Sequence, residues 1–149
     1  MSSLLHKKIS DSILKTYYEV YNNLGYGFLE KVYQNAMFFE LQSQGFKVEA
    51  QKQIKVHYKN KVVGEYFADI LIEGKIIIEL KATELLMTNQ VAQLLNYLKA
   101  TNIEVGMLLN FGDEPEFKRI IYTNDRKKNL NRVTLKRRKK KSVRICLIR

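Results

Sequence analysis

The sequence predicts an α/β (α+β) domain in which a mixed central β-sheet is flanked by α-helices. Three observations predict it. Apolar residues recur at helical spacing through the first 44 residues and again from about residue 88. Between them, residues 46–82 are β-rich throughout, with partial alternation and two turn signals. Two short strand-like runs follow the last helical segment, so helices and strands interleave along one chain.

The elements follow in order. In LHKKISDSILKTYYEVYNNLG, residues Ile9, Ile13, Leu14, Tyr17, Val20 and Tyr21 form an amphipathic helical stripe that closes near Asn23–Gly25. A second helix runs from about Phe28 to Gln44 and stops at Gly45, with Leu29, Val32, Ala36 and Phe39 expected to face the core. Next come three antiparallel strands, roughly 46–58, 61–73 and 75–82, turned at KNK and EGK. TNQVAQLLNYLKATN places Val91, Leu94, Leu95 and Leu98 at helical spacing. IEVGMLLNFG reads as a short buried strand and EFKRIIYTN as another.

With 149 residues, the chain has room for one domain with a real core. Its 46% hydrophobic and 28% charged residues fit a soluble globular protein. No apolar run follows MSSLLHKKIS and none is long enough to span a bilayer, so we expect a cytoplasmic protein with no signal peptide and no membrane partner. Cys146 stands alone, which excludes an internal disulfide, and no Cys/His cluster suggests zinc. The net charge of +11 is unevenly distributed. Twelve Lys/Arg and no acids lie between Arg126 and Arg149, leaving fourteen Lys/Arg against fifteen acids in residues 1–125. We therefore expect a nearly neutral domain over 1–123 and a mobile basic tail over 124–149. The tail reads equally as a solvated appendage or a nucleic-acid anchor.

Chemistry concentrates in FADILIEGKIIIELKATELL, where Asp69, Glu79 and Lys81 interrupt the most apolar segment of the chain. Residues two apart in a strand share a face, so Glu79 and Lys81 point together. The turn near Glu73–Gly74 brings Asp69 back beside Glu79. Two carboxylates held together repel, and a divalent cation turns that repulsion into attraction. Taken alone, the pattern is loose and favours a salt-bridged Asp–Lys–Glu cluster on an exposed sheet face. The flanking helices add Glu30 and Tyr33 on one face of the second helix, and Gln90, Gln93 and Tyr97 on a polar stripe of the third. His57, between Val56 and Tyr58, reads as a surface or rim residue and not as a general base.

GFLEKVY resembles the G-x-x-E-x-x-Y signature of a family of small prokaryotic proteins grouped with the PD-(D/E)xK nuclease superfamily. The similarity runs from about His6 to Ile121. Asp69, Glu79 and Lys81 match the D…E-x-K core, and Gln93 and Tyr97 match the Q-x-x-x-Y element of RecB-like nucleases. The resemblance implies a restriction-endonuclease-like core and a Mg²⁺-dependent DNA phosphodiesterase, with Mn²⁺ as the alternative ion. It further implies that Asp69, Glu79, the Leu80 carbonyl and Glu30 hold the metal and that Lys81 serves catalysis. Gln93, Tyr97 and Tyr33 would bind substrate. DNA is the expected partner, other nucleic acids are compatible, and a homodimer would suit symmetric cutting of two strands. The competing readings are a non-catalytic nucleic-acid-binding module and a protein-interaction module that keeps the nuclease fold.

Overall fold

A computed structural model describes residues 5–127. Helix α1 (Lys7–Leu24) turns Ile13, Tyr17 and Val20 inward, three and four residues apart. It stops at Gly25, whose φ of 69° a side chain with a Cβ would resist and whose N–H closes on the Tyr21 carbonyl at 2.8 Å. Helix α2 (Glu30–Ser43) follows, and of the expected stripe only Ala36 packs against the core, while Leu29, Val32 and Phe39 are exposed. Leu29 is 80% exposed and Phe39 66%, whereas Tyr33, Gln34, Met37 and Leu41 are buried. The segment VYQNAMFFEL carries two overlapping apolar stripes of helical period, and docking on the sheet buries the one with Tyr33 and Met37. Periodicity alone could not choose between them.

The sheet has five strands in the order β1 (Val48–Tyr58), β2 (Lys61–Ile72), β3 (Ile76–Lys81), β4 (Val105–Phe111) and β5 (Pro115–Ile121). All neighbours are antiparallel except β3 and β4, which are parallel. A parallel step needs a crossover, and α3 (Thr88–Ala100) supplies it. The mixed sheet with helices on both faces is the architecture read from the sequence. Ile76, Ile78 and Leu80 pack into one core with α1 and α2; Ile77 packs into a second core with Leu94 and Leu98 of α3. By the same alternation Glu79 faces the α3 side.

One aromatic residue ties the first core to the site. Phe111, at the end of β4, stacks on Tyr33 with ring centroids 4.1 Å apart and meets Tyr17 edge-on at 5.0 Å. Beside it, the fully buried Asn110 lies opposite Lys81 in the parallel register. Its side chain accepts the Thr83 N–H at 3.0 Å and donates to the Thr83 carbonyl at 2.9 Å, which clamps the chain as it leaves β3. A Cβ on Gly112 would lie 2.5 Å from the Thr83 carbonyl oxygen, so only glycine permits this approach.

The charge count assigned residues from 124 onward to a tail. Residues 124–127 close onto the domain instead: a short 3₁₀ turn spans Asn124–Arg126, and Lys127 is buried with its ammonium on the carbonyls of Thr101 (3.0 Å) and Ile103 (2.6 Å). The basic run LKRRKKK lies outside the described residues.

Replacing Gly112 with alanine forces a methyl group against backbone, which overpacking data put at about 1–3 kcal/mol. Urea denaturation of Gly112→Ala is expected to show a lower midpoint with an unchanged slope.

Candidate active site

Strand β2 pairs with β1 from end to end, interrupted at Asp69 and near Val63, but with β3 only over Ile70–Ile72. At Asp69 it leaves β3, while β3 continues beside β4 to Lys81. The sheet therefore forks at Asp69, and two backbone N–H groups lose their ladder partners there. Side-chain carboxylates take both. The Asp69 N–H donates to Glu79 Oε2 at 2.9 Å, and the Leu80 N–H donates to Asp69 Oδ2 at 2.8 Å. The hairpin thus brings Asp69 against Glu79 as the sequence led us to expect, with each acid bonded to the other's strand.

The chain also changes face at the fork. Ile70 packs into the α1/α2 core, whereas Ala68, two residues earlier, packs into the α3 core. Strict alternation would put them together. On β1 the matching break is Gln51, whose φ is 53°. Its amide donates to Gln34 Oε1 of α2 at 2.9 Å and lies 3.5 Å from Asp69 Oδ1.

Burial pushes the Glu79 carboxyl up to about 8, and the negative charge of Asp69 adds to the effect; the Asp69 N–H and Lys81 oppose it. Burial raises Asp69 as well, against the Leu80 N–H and the charge of Lys81. Among the described residues no ion pair joins Lys81 to either acid. This removes the salt-bridged surface cluster as a description of the site. Lys81 is half-buried and lowers both acids through its field alone.

Tyr97 of α3 is buried, and desolvation followed by the charges of Glu79 and Asp69 raises its phenol well above the usual range. Gln93 donates to its hydroxyl at 3.0 Å. Gln90 serves elsewhere, accepting the Met87 N–H at 2.7 Å to cap α3. Tyr33 is fully enclosed: its hydroxyl donates to the Gly25 carbonyl at 2.7 Å and accepts from the Phe28 N–H at 3.2 Å. It latches the glycine loop to α2, a structural role where substrate contact was expected. Glu30 is exposed in the first turn of α2, and its negative charge adds weakly to the upward push on Glu79.

An all-oxygen site of two carboxylates suits Mg²⁺, which takes one or two carboxylates and keeps several waters. Among the described residues no group of three His, Cys, Asp or Glu converges, so Glu30 does not complete such a set. The fit rests on Asp69 and Glu79, an acid pair held together without a contacting cation. Sequence reasoning missed Gln34, Gln51 and Asn110. No local signal marks them, because each acts through a long-range contact.

A sequence profile of the PD-(D/E)XK nuclease superfamily matches residues 7–120. No match was found among curated proteins. Among solved structures, the crystal structure of SSO0001 superposes with a TM-score of 0.50 at 19% sequence identity, covering 64% of this chain and 51% of that one. This chain thus spans about half the length of that structure, and at this identity the likeness concerns the fold.

The acid pair makes stability depend on pH. Glu79 holds its proton more tightly folded than unfolded, so the folded state binds more protons between its ordinary value of 4.5 and about 8. Stability is therefore highest below this window and falls as pH rises through it. A tenfold change in proton affinity corresponds to about 1.4 kcal/mol, so the loss reaches a few kcal/mol at most. Urea melts of metal-free protein from pH 5 to 8 should show this decline, and Glu79→Gln should flatten it.

Proposed function

The chain belongs to the PD-(D/E)XK nuclease superfamily, and from that premise we propose that it is a Mg²⁺- or Mn²⁺-dependent phosphodiesterase acting on DNA, of the G-x-x-E-x-x-Y type. The observation that carries this reading is the pairing in the fork of the buried Glu79 with the half-buried Asp69, each bonded to a backbone N–H and, among the described residues, without an ion-paired partner.

Asp69 and Glu79 would hold the cation. Strand geometry adds the Leu80 carbonyl, because an extended residue turns its N–H and C=O to the same neighbour, and the Leu80 N–H faces Asp69. Once bound, the cation supplies Lewis-acid stabilisation of charge on phosphoryl oxygens and eases deprotonation of the attacking water. Lys81 shares the Glu79 face of β3 and projects a positive charge at the mouth of the fork. There it orients the attacking water or balances charge that develops on the phosphate. Tyr97 stays protonated because of its buried, anionic surroundings. Its oxygen already accepts from Gln93, so its own O–H remains to donate to a phosphate oxygen. Glu30, on the solvent side of α2, is close enough to Glu79 to influence it and would act on a water in the outer shell of the site.

The test is cleavage of DNA by purified wild type beside Glu79→Ala and Lys81→Ala. Wild type is expected to cut only with a divalent cation. Each substitution should reduce the rate by about 10²–10³-fold or more while circular dichroism and melting show a folded domain. Undiminished cutting by the double variant would refute the assignment. In the same samples Mn²⁺ should raise the melting temperature of wild type and not of Glu79→Ala.

A further inference from the structure

We infer that Gln51 is a positioning residue of the carboxylate site: Gln34 holds its amide, which is presented to Asp69 from a strained strand position. The inference deepens the cation-site reading above and rests on it for its functional consequence, but the geometry that carries it is independent of any cation.

The first observation is where the strain sits. The other described non-glycine residues with positive φ are His6 at the start of α1, Lys59 and Asn60 at the tip of the β1–β2 hairpin, and Glu73 in the β2–β3 turn. All four begin a helix or make a turn. Gln51 alone adopts this conformation in mid-strand, with regular pairs Ala50↔Ile70 and Lys52↔Ala68 on either side. Neither register requires it. Left-handed backbone at a residue with a Cβ persists only where surrounding contacts over-determine it.

The second observation is what the strain achieves. Gln51 lies level with Asp69, and the break carries its side chain into the fork. A primary amide has two N–H donors. Gln51 directs its nitrogen at Gln34 Oε1 at 2.9 Å and at Asp69 Oδ1 at 3.5 Å. The second contact lies at the outer edge of hydrogen-bonding distance, so it orients the carboxylate more than it binds it. Gln34 is buried on α2, one turn beyond Glu30, and so is a fixed anchor. With Oδ2 on the Leu80 N–H and Oδ1 facing Gln51, both oxygens of the Asp69 carboxylate are oriented by neighbours. Outer partners of this kind typically alter metal affinity by about 10–100-fold.

A purely architectural role, in which Gln51 only bends β1, makes a different prediction. Gln51→Gly separates the two, because glycine adopts the same backbone conformation freely and lacks the amide. The experiment uses the full chain and compares wild type, Gln51→Gly and Gln34→Met. It reads amide hydrogen exchange at Leu80 by NMR without metal, and Mn²⁺ affinity by calorimetry. We expect Gln51→Gly to melt no lower than wild type. Its Leu80 amide should exchange about tenfold faster while Ile78 and Met107 do not change, and Mn²⁺ affinity should fall about 10–100-fold. Gln34→Met should move both readouts in the same direction. An unchanged Leu80 exchange rate overturns the proposal, whatever the Mn²⁺ result. Faster Leu80 exchange in a chain whose wild type binds no Mn²⁺ upholds the positioning role and defeats the cation reading instead.

Discussion

The structure depends on a substitution of hydrogen-bond partners at one point in the sheet. Where β2 leaves β3, the Asp69 and Leu80 N–H groups would be buried without partners, and each would cost about 1–3 kcal/mol. The carboxylates of Glu79 and Asp69 accept them instead. The same two side chains therefore close the ladder and form the anionic centre of the site. Two apolar residues here would leave both N–H groups orphaned, and two amides would satisfy them without creating the charge. Acids are required only if the charge itself is used.

Everything around the fork holds it open and fixes its rim. Phe111 and Tyr33 stack on the α1/α2 side, and Tyr33 in turn fastens the Gly25–Phe28 loop from which α2 starts. Asn110 clamps Thr83 immediately after Lys81, so the lysine sits at the end of a strand whose exit is fixed. On the opposite face α3 approaches β4 so closely that a Cβ on Gly106 would meet Leu94 at 2.8 Å, and this seats Tyr97 over the acid pair. Helices from both layers thus act on one gap in the sheet, which explains why an acid pair between two apolar cores can be reached by polar groups from either side.

Much of this was legible in the sequence, for a physical reason. Hydrophobic period fixes element type, and the tight Glu73–Gly74 turn fixes the β2–β3 register, so Asp69 had to lie beside Glu79. Features set by tertiary choice were not legible. Helix α2 offers two apolar stripes, and only docking selects Tyr33 and Met37 over Leu29 and Phe39. The same docking encloses Tyr33, although its place in the motif suggested substrate contact. Glutamine has no special preference for left-handed backbone, so nothing near Gln51 announces the break in β1. Lys127 looked like the root of a charged tail because counting charges cannot see two carbonyls at the end of α3 waiting for an ammonium.

The burial of Glu79 then acquires a direction. An acid held well above its ordinary pKa by desolvation and by a neighbouring carboxylate is a destabilising element in the metal-free chain, and side-chain rotation would ordinarily relieve it. Here rotation is blocked, since turning either carboxylate away breaks its bond to the other strand's N–H. Oε2 of Glu79 and Oδ2 of Asp69 accept backbone N–H groups, and Oδ1 of Asp69 lies 3.5 Å from the Gln51 amide, so Oε1 of Glu79 and the outer side of Oδ1 are the oxygens that would face a cation in the proposed reading. The backbone bonds therefore set both the strain and the aim of the site. In the proposed reading a cation would take the place of the proton that Glu79 holds in the metal-free chain and would find its ligands already oriented. Groups already aimed by the fold need no reorganisation when charge arrives or develops beside them.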